Sequence, residues 1–135
     1  MGTYLIDTNV SIGYFGEKLP VVGLDFIDTV INLSIPQISI ITKIELLGFN
    51  SNSKEVEFLY KFIENSVVFE LSKEIVDATI LIRKQKKIKI PDAIIAATAM
   101  VFDLTLLTRN TEDFKGRAGL KIVNPWMLKS PWIES

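Results

Sequence analysis

The sequence predicts an α/β domain with a mostly parallel central sheet of about four to five strands and helices on both faces. Three observations carry this. Apolar runs of strand length alternate with longer amphipathic segments along the chain, as parallel strands joined by crossover helices require. One segment, "PDAIIAATAMVF" (91–102), is apolar nearly all round, the pattern of a buried central helix. The 135 residues hold no repeat, low-complexity tract or linker, so residues 1–135 are expected to form a single domain.

The elements follow in order. Gly2 to Ile6 reads as the first strand, stopped by Asp7; Thr8 is expected to cap a short helix ending near Gly13 or Gly16. From Pro20 to Leu33 the apolar residues Val22, Phe26, Val30 and Leu33 recur at helical spacing. "IPQISII" reads as the second strand. Thr42 is then expected to cap a helix from Lys43, with Glu45 as its capping-box partner and Gly48 and "NSNS" closing it. Lys54 to Glu64 is a further amphipathic helix, and "SVVFEL" a strand. Ser72 opens a helix with Ile75, Ala78, Thr79 and Ile82 on one stripe, ending in "RKQKK". Pro91 stands in the first turn of the apolar helix, where its missing N–H costs nothing. "LTLLT" is a buried strand, "RNTEDF" a turn or one helical turn, and "LKIVNP" a last short strand.

Composition narrows the chemistry. The chain has no cysteine and no histidine. A Ser-His-Asp or Cys-His system in its usual form is therefore excluded, and a common zinc site loses both favoured ligand types. Carboxylates remain, and they suit hard ions such as magnesium or manganese. The formal net charge of −1 argues against a broad nucleic-acid surface, although local patterning can override it. Mean hydropathy is +0.31, yet Asp25, Asp28 and Asp103 interrupt the long apolar stretches, so no membrane span is expected. The start has neither a basic nor an apolar leader region, which makes a cytoplasmic location the default expectation.

In open parallel sheets the site lies outside the carboxyl ends of the strands. Asp7 ends the first strand, Glu45 follows the second, and Asp113 follows "LTLLT"; Asp92 opens a helix whose N-terminus can point to the same edge. Four acids from distant parts of the chain can converge there. Such carboxylates repel each other, and a divalent cation both relieves the repulsion and makes the cluster useful for phosphodiester hydrolysis. Each acid also has a local explanation. Asp7 suits a turn or cap, Glu45 a capping box, Asp92 a helix dipole, and Asp113 the third position of a helix capped by Asn110. Asp103 precedes a strand and belongs to the opposite edge; Asp25, Asp28, Glu55, Glu57, Glu64 and Glu74 read as solvated helix faces. The run Arg83, Lys84, Lys86, Lys87 and Lys89 is either a solvated helix end or a basic rim that draws a phosphate backbone to the acids, and Arg109 and Lys115 could extend it.

"DTNV" near the start, Glu45 after "ISIITKIELL", "IPDAIIAATA", and "LLTRNTEDF" followed by "GLKIVNPW" resemble the PIN domain, and more narrowly the VapC-type toxins of bacterial toxin–antitoxin pairs. The resemblance covers nearly the whole chain. It implies a magnesium- or manganese-dependent endoribonuclease in which Asp7, Glu45, Asp92 and Asp113 are the catalytic acids. Asp7 and Asp92 would hold the main metal, completed by Asp113. Thr8, Thr108 and Asn110 would orient carboxylates, water or phosphate, and a metal-activated water would attack the phosphodiester. It also implies a homodimer and a small antitoxin whose C-terminal segment enters the acidic groove. Relatives often carry a glycine before the helix Asp, whereas "KKIKIP" has none. Two other readings remain: a non-catalytic domain whose acidic pocket docks a basic peptide, and a phosphoacceptor domain. The latter expects a lysine ending a late strand, where this chain offers only the offset Arg109.

Overall fold

Residues 3–48, 53–117 and 119–134 are described by a computed structural model. The chain runs β1 (Tyr4–Ile6), α1 (Thr8–Phe15), α2 (Val21–Leu33), β2 (Gln37–Ser39), α3 (Ile40–Leu47), α4 (Ser53–Glu64), β3 (Val67–Phe69), α5 (Lys73–Gln85), α6 (Ile90–Val101), β4 (Thr105–Leu107), α7 (Thr111–Phe114) and β5 (Lys121–Val123). It closes with β6 (Leu128–Lys129) and β7 (Ile133–Glu134). Gly2 and most of "NSNS" lie outside the described residues.

The strands pair in parallel as β1-β4-β5 and as β2-β3, and β2 runs alongside β1 without a backbone ladder between them. The Gln37 side-chain amide donates to the Tyr4 carbonyl across that seam at 3.5 Å. Five parallel strands are thus present in the order β3-β2-β1-β4-β5, hydrogen-bonded in two pieces. The hairpin β6–β7 is antiparallel and was not expected, because its two-residue strands leave no periodicity to read.

Strand alternation divides the interior into two cores. Leu5 and Leu106 face Ile75 and Ile82 of α5 and Ala93 and Ile95 of α6. Ile6 and Leu107 face Val10 of α1, Phe26 and Val30 of α2, and Phe62 of α4. Helices therefore cover both faces, as expected. Every residue from Ala93 to Ala99 is buried, and its alanines let α5 and neighbouring strands approach closely. With both faces apolar, β1 has no amphipathic pattern to fix its end; the first polar side chain, Asp7, marks it.

Two caps fall earlier than expected. Asp7, not Thr8, is the N-cap of α1, and its carboxylate accepts from the Thr8 N–H at 2.8 Å. Ser39, not Thr42, caps α3, accepting from the Ile41 N–H at 3.1 Å. The apolar pair Ile40–Ile41, which reads as strand, is therefore the first turn of α3. Thr42 is buried inside the helix and Glu45 sits in its second turn, so no capping box forms. On α2 the buried stripe is Gly23, Phe26, Ile27 and Val30; Leu33, expected within it, is 71% exposed because the helix has by then passed the core. Ser72 caps α5 as expected, accepting from the Ile75 N–H at 3.3 Å.

The C-terminal segment is locked on by two close approaches. A Cβ on Gly13 would fall 2.7 Å from the Trp126 ring, and one on Gly23 would fall 2.1 Å from the Pro125 carbonyl oxygen. Among the described residues no helix is long and apolar enough to cross a membrane.

Candidate active site

The site forms where β1 and β4 end side by side. In the parallel register Ile6 pairs with Leu107, which puts Asp7 and Thr108 next to each other one step beyond. The sheet continues through them: the Asp7 N–H donates to the Leu107 carbonyl and the Thr108 N–H to the Val123 carbonyl, each at 3.0 Å. Their side chains are thus positioned by backbone ladder bonds, not by flexible loops.

Asp7 is only 4% exposed and is addressed by donors. Oδ1 accepts from the Thr8 N–H at 2.8 Å; Oδ2 accepts from the Thr108 hydroxyl at 2.7 Å and from the Asn9 amide at 3.2 Å. The Thr108 oxygen is held in turn by the Asn110 N–H at 3.0 Å and the Asn9 amide at 3.3 Å, so its single proton is directed at Asp7. Asn9 also accepts from the Arg109 N–H at 3.0 Å. Burial pushes the Asp7 carboxyl up to about 6, against the lowering effect of the Thr108 and Thr8 donors; the Asp92 and Glu45 carboxylates push it further in the same direction.

The other acids belong to the same field. Asp92, half-buried in the first turn of α6, is raised by burial and then by Asp113 and Glu45, with Lys89 partly offsetting them. Glu45 is exposed and accepts from the Thr8 hydroxyl at 2.6 Å, while that hydroxyl lies 3.1 Å from the Thr42 hydroxyl. Asp113 accepts from the Asn110 side-chain amide at 2.7 Å. Asn110 does stand at the N-cap of α7, but its side chain makes no cap bond and holds Asp113 instead. The four acids named from the sequence therefore share one electrostatic environment, with Thr8 bonded to Asp7 and Glu45, Thr108 to Asp7 and Asn110 to Asp113.

The basic residues divide. Lys89 stands near Asp92, and Lys86 reaches the same side by donating to the Glu112 carbonyl at 3.1 Å. Arg83 is exposed, and its Nε donates to the Ile88 carbonyl at 3.1 Å, which braces the α5–α6 connection. The Arg109 guanidinium lies 4.7 Å from the centroid of Trp126. Lys84 and Lys87 are exposed, and Lys115 makes a loose 3.8 Å pair with Glu112. Asp28, read as a solvated acid, accepts from the half-buried Tyr14 hydroxyl, and burial together with Asp28 pushes that phenol up to about 12. Asp103 lies at the opposite edge as expected, paired with Lys121 at 3.2 Å.

Sequence reasoning missed Asn9 and Thr42 as site residues. Asn9 was visible within "DTN", but its bond to Thr108, 99 positions away, has no sequence signal.

The donor set is all hard oxygen, which fits magnesium or manganese. Among the described residues no three acids stand closely enough to hold an ion by themselves. The fit is therefore to an ion held by one or two carboxylates that keeps water in its remaining positions, as magnesium commonly does.

A family model described as the PIN domain matches residues 4–120. A search of curated proteins found no match. Among solved structures, a toxin–antitoxin complex from Klebsiella pneumoniae matches with 29% identity and a TM-score of 0.73, over 91% of this chain and 98% of that one. FitAcB from Neisseria gonorrhoeae matches with 29% identity and a TM-score of 0.72, over 93% and 99%. DNA-bound VapBC from Salmonella typhimurium shares the fold at 24% identity, with a TM-score of 0.75 over 93% and 99%.

Proposed function

The chain belongs to the PIN domain family, and from that membership we propose that it is a metal-dependent endoribonuclease, the toxin of a toxin–antitoxin pair. The observation that carries the reading is Asp7: a buried carboxylate at a strand end, addressed by donors from Thr8, Asn9 and Thr108 and loaded by the charges of Asp92 and Glu45. A fold gains nothing in stability from collecting like charges at one edge, so the arrangement suits a cation. Magnesium or manganese would be held by Asp7 and Asp92, with Asp113 adding its charge beside Asp92, and would supply neutralisation, orientation of a phosphodiester and a more acidic water.

The chain's own residues do the rest. Thr8, Asn9 and Thr108 fix the Asp7 oxygens in one orientation, which limits reorganisation when substrate arrives. Asn110 does the same for Asp113. In this reading Glu45, which is exposed and tethered by Thr8, accepts a proton from the attacking water. No imidazole takes part, since the chain contains none. Lys86 and Lys89, at the border of the acids, draw the phosphate backbone toward an otherwise repellent pocket.

The partner reading rests on the relatives. The Klebsiella structure is a toxin–antitoxin complex, and this supports an antitoxin partner; in our reading that partner's C-terminal segment enters the acidic groove. A homodimer belongs to the same reading.

The test is cleavage of RNA by the purified chain with magnesium or manganese, followed on a gel, beside Asp7→Asn and Asp92→Asn. Cleavage is expected from the wild type only, with circular dichroism unchanged in the variants. Full activity in either variant or in excess chelator overturns the proposal. A folded wild type that neither cleaves RNA nor responds to added magnesium or manganese would instead support the docking-module reading.

A further inference from the structure

Away from the acids, a cavity of about 200 Å³ lies between α5, α6 and the loop joining α7 to β5. Ala78, Leu81, Ile82 and Gln85 of α5, Met100 of α6 and Arg117 of the loop line it. Five of these six carry little that is unusual. The sixth does: Nε and Nη2 of Arg117 are buried and find no hydrogen-bond partner among the described residues. Buried guanidinium donors left without partners are unfavourable, so these two N–H groups call for a ligand.

The identity of the two nitrogens matters. Nε–H and Nη2–H leave the same edge of the planar guanidinium side by side, and that edge matches the two oxygens of a carboxylate. In the loop, Gly116 and Gly119, on either side of Arg117, have φ of +81° and +83°, a region that other residues rarely adopt. The rest of the lining is apolar except for Gln85. A phosphate monoester, with three oxygens and up to two charges, would find too few donors. A carboxylate on a short aliphatic stem places its oxygens on Arg117 and its methylenes against Leu81, Ile82 and Met100.

We propose that the Arg117 cavity is a binding site for a short aliphatic carboxylate, either a free small acid or an acidic side chain of another protein. It shares no residue with the acidic site and does not depend on the nuclease reading.

The experiment uses the full chain, titrated by calorimetry and by thermal unfolding with sodium butyrate, with N-acetylglutamate α-amide and with inorganic phosphate, at matched ionic strength. Wild type is compared with Arg117→Met and Arg117→Lys. Butyrate is expected to bind saturably and raise Tm, with both effects lost in Arg117→Met and affinity reduced about tenfold in Arg117→Lys, which keeps the charge but not the fork. Without any added acid, Arg117→Met is expected to melt at or above the wild-type temperature, because it replaces two buried donors that lack partners with an apolar chain of similar length. Binding of butyrate alone identifies a free acid as the ligand; binding of the glutamate derivative as well identifies a protein-borne one. Three results overturn the proposal: no saturable response to either carboxylate, stronger binding of phosphate, or a response undiminished in Arg117→Met. Should Arg117→Met fail to fold, an affinity for butyrate in Arg117→Lys equal to that of wild type overturns it.

Discussion

Replacing Thr108 by valine tests whether the site is built around an ionised Asp7. Valine keeps the shape of the buried threonine and removes its hydroxyl, which donates to Asp7 Oδ2 at 2.7 Å. A hydrogen bond to a charged group contributes roughly 1.5–3 kcal/mol, whereas a neutral one contributes about 1 kcal/mol. The loss should therefore depend on the state of Asp7. Its carboxyl titrates near about 6 in the folded chain, against 3.8 in its ordinary state. At pH 8 Asp7 is ionised, and the variant should lose about 2 kcal/mol; at pH 5 it is mostly protonated, and the loss should fall to about 1 kcal/mol. That difference also means that Asp7 in the variant titrates higher than in the wild type. The assay is urea unfolding in chelator at both pH values, followed by tryptophan fluorescence. Equal losses at the two pH values, or a larger loss at pH 5, would refute the assignment of the Thr108 proton to Asp7.

Asp7 should also set the pH dependence of the metal-free protein. A carboxyl raised by folding from 3.8 to about 6 favours the folded state while protonated, so its contribution is full below 3.8 and is lost as pH rises through about 6. The rise amounts to about 3 kcal/mol, and Asp7→Asn should flatten urea-unfolding stability across that window; an unchanged slope would locate the titrating group elsewhere. Gly23→Ala should destabilise by about 2 kcal/mol or more in the same assay, since its Cβ would fall 2.1 Å from the Pro125 carbonyl oxygen and backbone must move. A loss below about 0.5 kcal/mol would show that the C-terminal segment is not held as described.

Much of this was legible in the chain. Alternating apolar runs pointed to about four to five mostly parallel strands with helices on both faces, because burial on two sides leaves continuous apolar runs that few other elements produce. The four acids were legible because each follows a strand or opens a helix, and parallel topology sends those positions to one edge. The capping boundaries were less so. "ISIITKIE" allows strand or helix at Ile40–Ile41, and Ser39, Thr42 and Thr8 are all acceptable caps by type; which one caps is decided by where the three-residue strand stops. The contacts of the basic residues were not legible: Arg83 braces the turn before α6, and Arg109 lies over Trp126.

The sequence by itself determined which side chains are available for chemistry: with no histidine and no cysteine, carboxylates such as Asp7, Glu45, Asp92 and Asp113 are the candidate ligands, and they suit hard ions. Tertiary structure alone decided how those acids are held. The bonds from Thr108 to Asp7, from Asn9 to Thr108 and from Thr8 to Glu45 join residues 101, 99 and 37 positions apart. Local propensity acts over a few residues, so the first two contacts exist only once parallel pairing of β1 with β4 has set the strand ends side by side, and the third only once α1 and α3 pack together beyond β1 and β2.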